Sequence, residues 1–367
     1  MQNVNTYILA IESSCDDTSC AVLRNEAVLA NITANQKIHE QYGGVVPELA
    51  SRDHQKNIVP VVDAALKKAG IGLHELQAIA ITRGPGLMGS LLVGLSFAKS
   101  LSLALNIPLI EVNHMQGHIL AHFIREESQE PLLKGGMIDS VHHTATKPET
   151  EDKEQEMVPQ FPFLCLTVSG GHTQLVKITN HLSFEVIGET IDDAVGEAFD
   201  KAAKILGLPY PGGPMIDNLA KEGDATKFVF AHTKVPGHDY SFSGIKTSFL
   251  YFIQNNLQKN PDFIKENLQD ICASYQHHLI TVLLKNVRTV LKETGIKELA
   301  IAGGVSANSG LRREVKKLEA ELGITAFIPK FEYCTDNAAM IGITAYYKFL
   351  RQDFSDLAIT PLARMSL

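Results

Sequence analysis

The sequence predicts an α/β protein of two similar domains facing each other across a cleft, and three observations carry that reading. Each half opens on a hairpin whose tip is polar, and each continues with a strand, a glycine loop and a long helix. A strongly acidic stretch poor in apolar residues separates the two halves. The composition agrees: 367 residues, 45% hydrophobic and 20% charged, are those of a globular chain. At roughly 150 residues per domain such a chain holds about two cores.

In the first half, the apolar run Tyr7 to Glu12 meets the turn Ser13-Ser14-Cys15-Asp16-Asp17 and returns through Cys20 to Leu23. The strand Ala78 to Thr82, the loop Gly84-Pro85-Gly86 and the helix Gly89 to Leu105 follow. The most apolar stretch, Leu91 to Ile110, carries Lys99 and several serines and reads as a core helix rather than a membrane span. In the second half, Phe163 to Val168, the turn Ser169-Gly170-Gly171-His172 and Leu175 to Ile178 form the matching hairpin. Leu299 to Ala302, Gly303-Gly304 and Ser309 to Leu322 form the matching strand, loop and helix. Periodicity adds helical stretches over Asp192 to Lys221 and Asp262 to Thr294.

Between the halves, residues 126–160 hold nine acids against Lys134, Lys147 and Lys153, a net charge of −6. Such a stretch cannot bury enough surface to offset the entropy of ordering, and it reads as an exposed linker or insertion. The expected organisation is therefore a first α/β domain over 1–125, the acidic insertion over 126–160, a second α/β domain with a helical insertion over 161–350, and a C-terminal tail over 351–367.

The formal net charge is −8, so the chain does not advertise a nucleic-acid partner. Most of that charge sits in the acidic insertion; the remainder is near neutral and leaves room for local basic groups such as Arg312, Arg313, Lys316 and Lys317, which read as a solvated helix face. Five scattered cysteines without a Cys-x-x-Cys pair argue against a disulfide framework and against a cysteine zinc site. The N-terminal apolar run is too short for a signal peptide, so a cytoplasmic location is expected, with no membrane partner.

The segment Asn113-His114-Met115-Gln116-Gly117-His118 places two histidines at i and i+4, on one face of a helix, where they can share a metal ion. On spacing alone, a pair of partly buried, hydrogen-bonded histidines is the favoured explanation. His122 continues the face as a spare ligand or a surface residue. A His-Glu-x-x-His protease needs a Glu beside the first histidine, where this chain has Met115. Asp336, in Tyr333-Cys334-Thr335-Asp336-Asn337, is a candidate third ligand or the cap of the helix Ala338 to Phe349. The segments Thr167 to Thr173 and Ala302 to Asn308 bring consecutive backbone amides to turns suited to an anion, the second at a helix start. Neither matches a Walker or a dinucleotide fingerprint. Cys15 and Ser169 are candidate nucleophiles, but read first as turn residues.

Taken together these motifs resemble the TsaD family, the tRNA adenosine threonylcarbamoyltransferases once called O-sialoglycoprotein endopeptidases. The resemblance rests on Ile11 to Thr18, Tyr42 to His54, Gly84 to Leu87, Val168 to Thr173, Asp193 to Lys201, Tyr210 to Pro214, Phe242 to Thr247, Ala302 to Asn308 and Cys334 to Asn337, and so runs through nearly the whole chain. It implies two actin/Hsp70-like domains around a nucleotide and metal cleft. It implies one divalent metal, generally Fe(2+), with zinc or manganese as alternatives, on His114, His118 and Asp336. Contacts to substrate and adenine nucleotide, either threonylcarbamoyl-AMP or ATP, would fall on Thr167, Val168, Ser169, Gly170, Gly171, Asp200, Gly213, Asp217 and Asn308.

The implied activity is transfer of threonylcarbamoyl from threonylcarbamoyl-AMP to the exocyclic amine of adenosine 37 in tRNAs reading codons that begin with A. The implied partners are tRNA, a TsaB-type paralogue pairing through the first domain, a TsaE-type ATPase, and a TsaC-type enzyme that supplies the intermediate. Two rival readings are a metal-dependent glycoprotein endopeptidase and a non-catalytic paralogue. The chain departs from the family in Gln116, where Glu is usual, and in the length of the acidic insertion.

Overall fold

The protein is described by a computed structural model, which covers residues 5–126, 157–231 and 235–367. Except for its ends, the acidic insertion expected over 126–160 lies outside the described residues.

The first sheet has six strands in the order β5-β4-β1-β2-β3-β6. They are β1 Tyr7–Glu12, β2 Asp17–Arg24, β3 Ala27–Asn35, β4 Ala78–Gly84, β5 Leu109–Asn113 and β6 Arg125–Glu126. β1 pairs antiparallel with β2 and parallel with β4, with Ile11 opposite Cys20 on one side and Ile81 on the other. The second sheet has the order β11-β10-β7-β8-β9. Its strands are β7 Phe163–Val168, β8 Thr173–Asn180, β9 Ser183–Glu189, β10 Glu298–Ala302 and β11 Thr325–Phe327. β7 pairs antiparallel with β8 and parallel with β10. Strand for strand, the second sheet repeats the first five strands of the other, so the duplication read from the hairpins and glycine loops extends to topology. β1 and β7 are continuous apolar runs because each is central and covered on both faces.

The first sheet carries α1 Pro47–Ala69 and α2 Met88–Leu105 on its outer face. α1 begins on a proline and ends at Gly70 in the left-handed region (φ 70°), which glycine tolerates without strain. α2 turns Leu91, Gly94, Leu95 and Ala98 inward, as expected of a core helix, and is long and apolar enough to cross a membrane by composition. The second sheet is backed by α4 Val195–Ile205, α5 Gly212–Ala220, α6 Ser243–Leu257, α7 Phe263–Thr294 and α8 Ser309–Leu322. The helical stretch expected over 192–221 is two helices, because Gly207 (φ 74°), Pro209 and Pro211 interrupt it. α6 has no counterpart among the sequence expectations.

The two halves are joined by their last helices, α3 His114–Leu120 after β5 and α9 Ala338–Leu350 after β11. These occupy equivalent positions in the duplicated plan, and they cross between the sheets. α9 packs on β1, β2 and β5 of the first sheet, and α3 reaches β7 and β10 of the second. The second domain expected over 161–350 ends on α9, which is buried along Ala338 to Ala345 and needs an apolar surface on more than one side. It finds that surface in a core shared by Ile8, Ala10, Val112, Cys165 and Ala300 from both sheets. Gly117 permits the close crossing of α3 over α9, since a Cβ there would lie 3.1 Å from Ile341 and 3.2 Å from Met340. The 351–367 segment runs back along the first half, with Leu362 N–H donating to Arg83 O (2.9 Å) and Ser355 N–H to Leu109 O (2.8 Å).

Candidate functional site

α3 starts at His114 because Asn113 caps it, its Oδ1 accepting from Met115 N–H (2.8 Å) and Gln116 N–H (3.3 Å). His114 and His118 are therefore one turn apart on one face, with ring centroids 4.7 Å apart. Asp336 arrives from the turn before α9. Its Oδ1 lies 3.2 Å from Nε2 of His114 and 3.2 Å from Nε2 of His118, and the three donor atoms lie within 4.8 Å of one another. The alternative of Asp336 as a helix cap does not apply: Asn337 caps α9, accepting from Met340 N–H at 3.1 Å.

Glu12, completely buried at the end of β1, holds the far side of His114. Its Oε2 lies 3.2 Å from His114 Nδ1 and accepts from the Thr82 hydroxyl, while Oε1 accepts from Ser14 N–H. Ser14 Oγ stands 3.1 Å from the same Nδ1. A carboxylate on Nδ1 fixes the tautomer that leaves Nε2 free as a metal donor. His118 Nδ1 is buried without a hydrogen-bond partner among the described residues. Two imidazoles and one carboxylate, convergent and backed by an outer carboxylate, fit a divalent transition-metal ion.

The electrostatics agree. Burial alone would push the Asp336 carboxyl up, but His114 and His118 hold it far below the usual carboxylate range. Burial would pull His114 down, yet Asp336 and Glu12 hold it well above the ordinary histidine value. Without metal the site therefore keeps a proton on His114 through neutral pH, and a bound ion must displace it. Metal affinity should rise with pH, by about tenfold per unit while one proton is expelled, until the His114 pKa is passed. A Mn2+ titration at several pH values between about 6 and 8 checks this, with weaker binding expected on the acid side.

His122 stands outside the ligand group and is half-buried. Its Nε2–H donates to Ile301 O of β10 (2.9 Å), and burial pulls its pKa down to about 4, so it ties α3 to the second sheet as a neutral group. Cys15 is a poor nucleophile because burial, reinforced by Asp16, pushes its thiol far up. The Ser169 hydroxyl accepts from His172 N–H (3.0 Å) within its own turn. Gln116 is half-buried between the two histidines and outside the ligand set.

The glycine turns belong to the second sheet, one at the tip of the β7–β8 hairpin and one after β10. Burial lowers the His172 pKa, and the fields of His114 and His118 lower it further. A Cβ at Gly170, Gly171 or Gly304 would meet nothing within 4 Å, so these backbones border open space that a ligand can approach. Gly303 (φ 86°) is different: a Cβ there would lie 2.5 Å from Val168 O, and its absence lets the two loops pack together. Thr167 and Val168 are fully buried strand residues, with Thr167 Oγ1 donating to Gln174 O at 3.2 Å, so only Ser169 to Gly171 reach the open side.

The remaining candidates hold turns and helix starts in the second half. Asp200 accepts from Gly212 N–H (2.9 Å) and Gly213 N–H (3.3 Å), fixing the start of α5. Asp217 accepts from Ser309 N–H (3.0 Å) and its hydroxyl (2.8 Å), and Asn308 Oδ1 accepts from Leu311 N–H (2.9 Å). The helix start expected to attract an anion is thus already met by the Asp217 carboxylate. Sequence reasoning gave no role to Glu12 or Thr82; the signal for Glu12 was an acid closing an otherwise apolar strand.

Comparison with known proteins follows the same lines. Full-length HypF, in its phosphate- and nucleotide-bound form, superposes with a TM-score of 0.57 at 12% identity, over 95% of this chain and 47% of HypF. That likeness concerns the fold, which is the expected pair of actin/Hsp70-like α/β domains. The family described as "TsaD: tRNA N6-adenosine threonylcarbamoyltransferase" matches residues 27–144 and 136–343. A tRNA N6-adenosine threonylcarbamoyltransferase of Christiangramia forsetii is 58% identical, with 99% of each chain covered. That of Porphyromonas gingivalis is 54% identical over 98% of each, and that of Clostridioides difficile 42% over 98% of each. With this identity along its whole length, the chain belongs to the TsaD family of tRNA N6-adenosine threonylcarbamoyltransferases.

Proposed function

We propose that this protein transfers the threonylcarbamoyl group from threonylcarbamoyl-AMP to the exocyclic amine of adenosine 37 in tRNAs that read codons beginning with A. The observation that carries the reading is the convergence of His114, His118 and Asp336, in a chain whose glycine turns are open at Gly170, Gly171 and Gly304. His114, His118 and Asp336 would hold one divalent ion, Fe(2+) by the resemblance, with zinc or manganese compatible with the same donors. When bound, such an ion supplies Lewis-acid polarisation of an acyl oxygen and orients a carboxylate or hydroxyl.

The protein's own residues do the rest. Glu12 and Ser14 keep His114 in the donating tautomer. Backbone N–H groups of Gly170, Gly171 and Gly304 receive the adenine nucleotide's phosphate, which becomes the leaving group, while Ser169, whose N–H donates to His172 O (2.8 Å), shapes the turn and Gly213, Asp217 and Asn308 border the nucleoside end. Asp200 acts by fixing the Gly212-Gly213 turn. The mixed anhydride is already activated, so attack by the adenine amine needs positioning more than a protein nucleophile. The protonated state of Cys15 and the occupied hydroxyl of Ser169 support direct transfer.

The partner reading has a surface to support it. Met88, Leu92, Ser96, Ser100 and Leu103 form one uncharged outer stripe on α2, with Val59 exposed on the neighbouring α1, in the domain expected to pair with a TsaB-type paralogue. A TsaE-type ATPase and a TsaC-type supplier complete the proposed system, and the pairing of Arg313, Lys316 and Lys317 with Glu314 and Glu319 supports a tRNA grip shared with partners. Five unpaired cysteines support operation in the reducing cytoplasm. Reconstitution with tRNA, the partner proteins and a source of the intermediate, followed by mass spectrometry of tRNA nucleosides, tests the assignment. Threonylcarbamoyladenosine should form only when this protein is present. Metal-dependent cleavage of a glycoprotein with no nucleoside product would favour the peptidase instead, which Glu12 is ill placed to serve as base, being buried and committed to His114.

A further inference from the structure

Among the basic residues on α8, Arg312 alone turns inward, and its guanidinium spans two loops. Its Nε–H donates to Ser306 O (2.8 Å), in the glycine loop that follows β10. One Nη donates to Pro329 O (2.8 Å) and to Cys334 Sγ (3.1 Å), in the segment that delivers Asp336 two residues later. The Phe331 ring covers the guanidinium with its centroid 3.9 Å away, although that ring is 66% exposed. The neighbouring Arg313, Lys316 and Lys317 instead pair with glutamates of their own helix. A rigid planar fork with neutral acceptors on both sides is a strut: neither loop can shift without moving the other or breaking a bond.

We propose that Arg312 is a positioning residue that couples the nucleotide loop to the metal-ligand loop, so that phosphate occupancy at Gly304 tightens metal binding at His114, His118 and Asp336. The inference rests on the metal and nucleotide reading above. By linkage the effect is reciprocal: metal tightens the nucleotide by the same factor. Backbone adjustment around a phosphate at Gly304 passes through Ser306 O, the guanidinium and the Pro329 and Cys334 contacts to the turn that sets the Asp336 carboxylate.

The test is a Mn2+ titration of the full chain with and without saturating AMP, for the natural protein, Arg312→Lys and Phe331→Ala. In the natural protein AMP should tighten Mn2+ by about fivefold or more, the range of ordinary coupling between sites. Arg312→Lys keeps the charge but loses the fork, and the factor should fall to about twofold or less, while Mn2+ affinity without AMP changes little. Phe331→Ala, an exposed position whose substitution the fold tolerates, should give an intermediate factor. A merely structural arginine would lower both affinities and the melting temperature while the coupling factor stayed intact, and that result overturns the proposal. Independent binding of Mn2+ and AMP by the natural protein overturns it too, leaving the site assignment standing. Failure of the natural protein to bind Mn2+ at all sinks the metal reading itself.

Discussion

Asp336→Ala leaves the chain folded but without stable divalent metal, and its threonylcarbamoyl transfer falls by more than the ~10–100-fold that losing an outer hydrogen-bond partner costs a metal site. The carboxylate is the only anionic member of the donor set, and it stands 3.2 Å from both imidazoles. Without it two neutral donors remain, and an N,N pair does not hold an ion against water and buffer. The fold should survive because Asn337 caps α9 and the Asp336 side chain is 27% exposed. Metal content by elemental analysis and nucleoside mass spectrometry check the two losses. Metal-free protein with undiminished transfer would show that the triad is structural.

Glu12→Gln is expected to weaken metal binding by ~10–100-fold and transfer with it, although Glu12 is outside the donor set and acts through His114. The carboxylate accepts from Ser14 N–H, the Thr82 hydroxyl and His114 Nδ1–H. An amide offers one accepting oxygen and turns a donor toward at least one of these donors, leaving a buried group unsatisfied at a cost of about 1–3 kcal/mol. His114 is then free to adopt the other tautomer, with its lone pair away from the ion. The pH dependence distinguishes this from simple unfolding. Burial raises the Glu12 carboxyl, His114 lowers it, and the balance lies below the ordinary value, so the native carboxylate supports His114 protonation at neutral pH. Removing that charge lowers the His114 pKa, and the acid limb of metal binding should move to lower pH. A variant with natural metal affinity and an unmoved acid limb would deny Glu12 its orienting role.

Much of the fold was legible because the central strands are apolar throughout and each half repeats hairpin tip, strand, glycine loop and helix. Those are local signals. The joint between the halves was not, since α3 and α9 pack on each other's half through contacts far apart in sequence, as with His118 and Asp336, 218 residues apart. The same distance hides why the two histidines are a site: their spacing is ordinary, and Asp336 reads in sequence as a helix cap as well as a ligand, a choice that the resemblance made and the fold's geometry supports. Glu12 reads as the end of a strand until the fold sets it against His114. Arg312 reads as one of four surface bases until α8 is laid beside the 329–336 segment. Helix boundaries failed where Gly207 and two prolines interrupt an otherwise periodic stretch, a break that periodicity averages over.

The central claim is that acyl transfer depends on an ion held by His114, His118 and Asp336. Stripping the purified protein with a chelator, removing the chelator and restoring Fe(2+), Mn2+ or Zn2+ in graded amounts tests it in one preparation. Threonylcarbamoyladenosine formation should vanish with the metal and return in proportion to the ion bound, reaching its plateau at one per chain. Full transfer by metal-free protein, or recovery that does not follow metal content, would contradict the account.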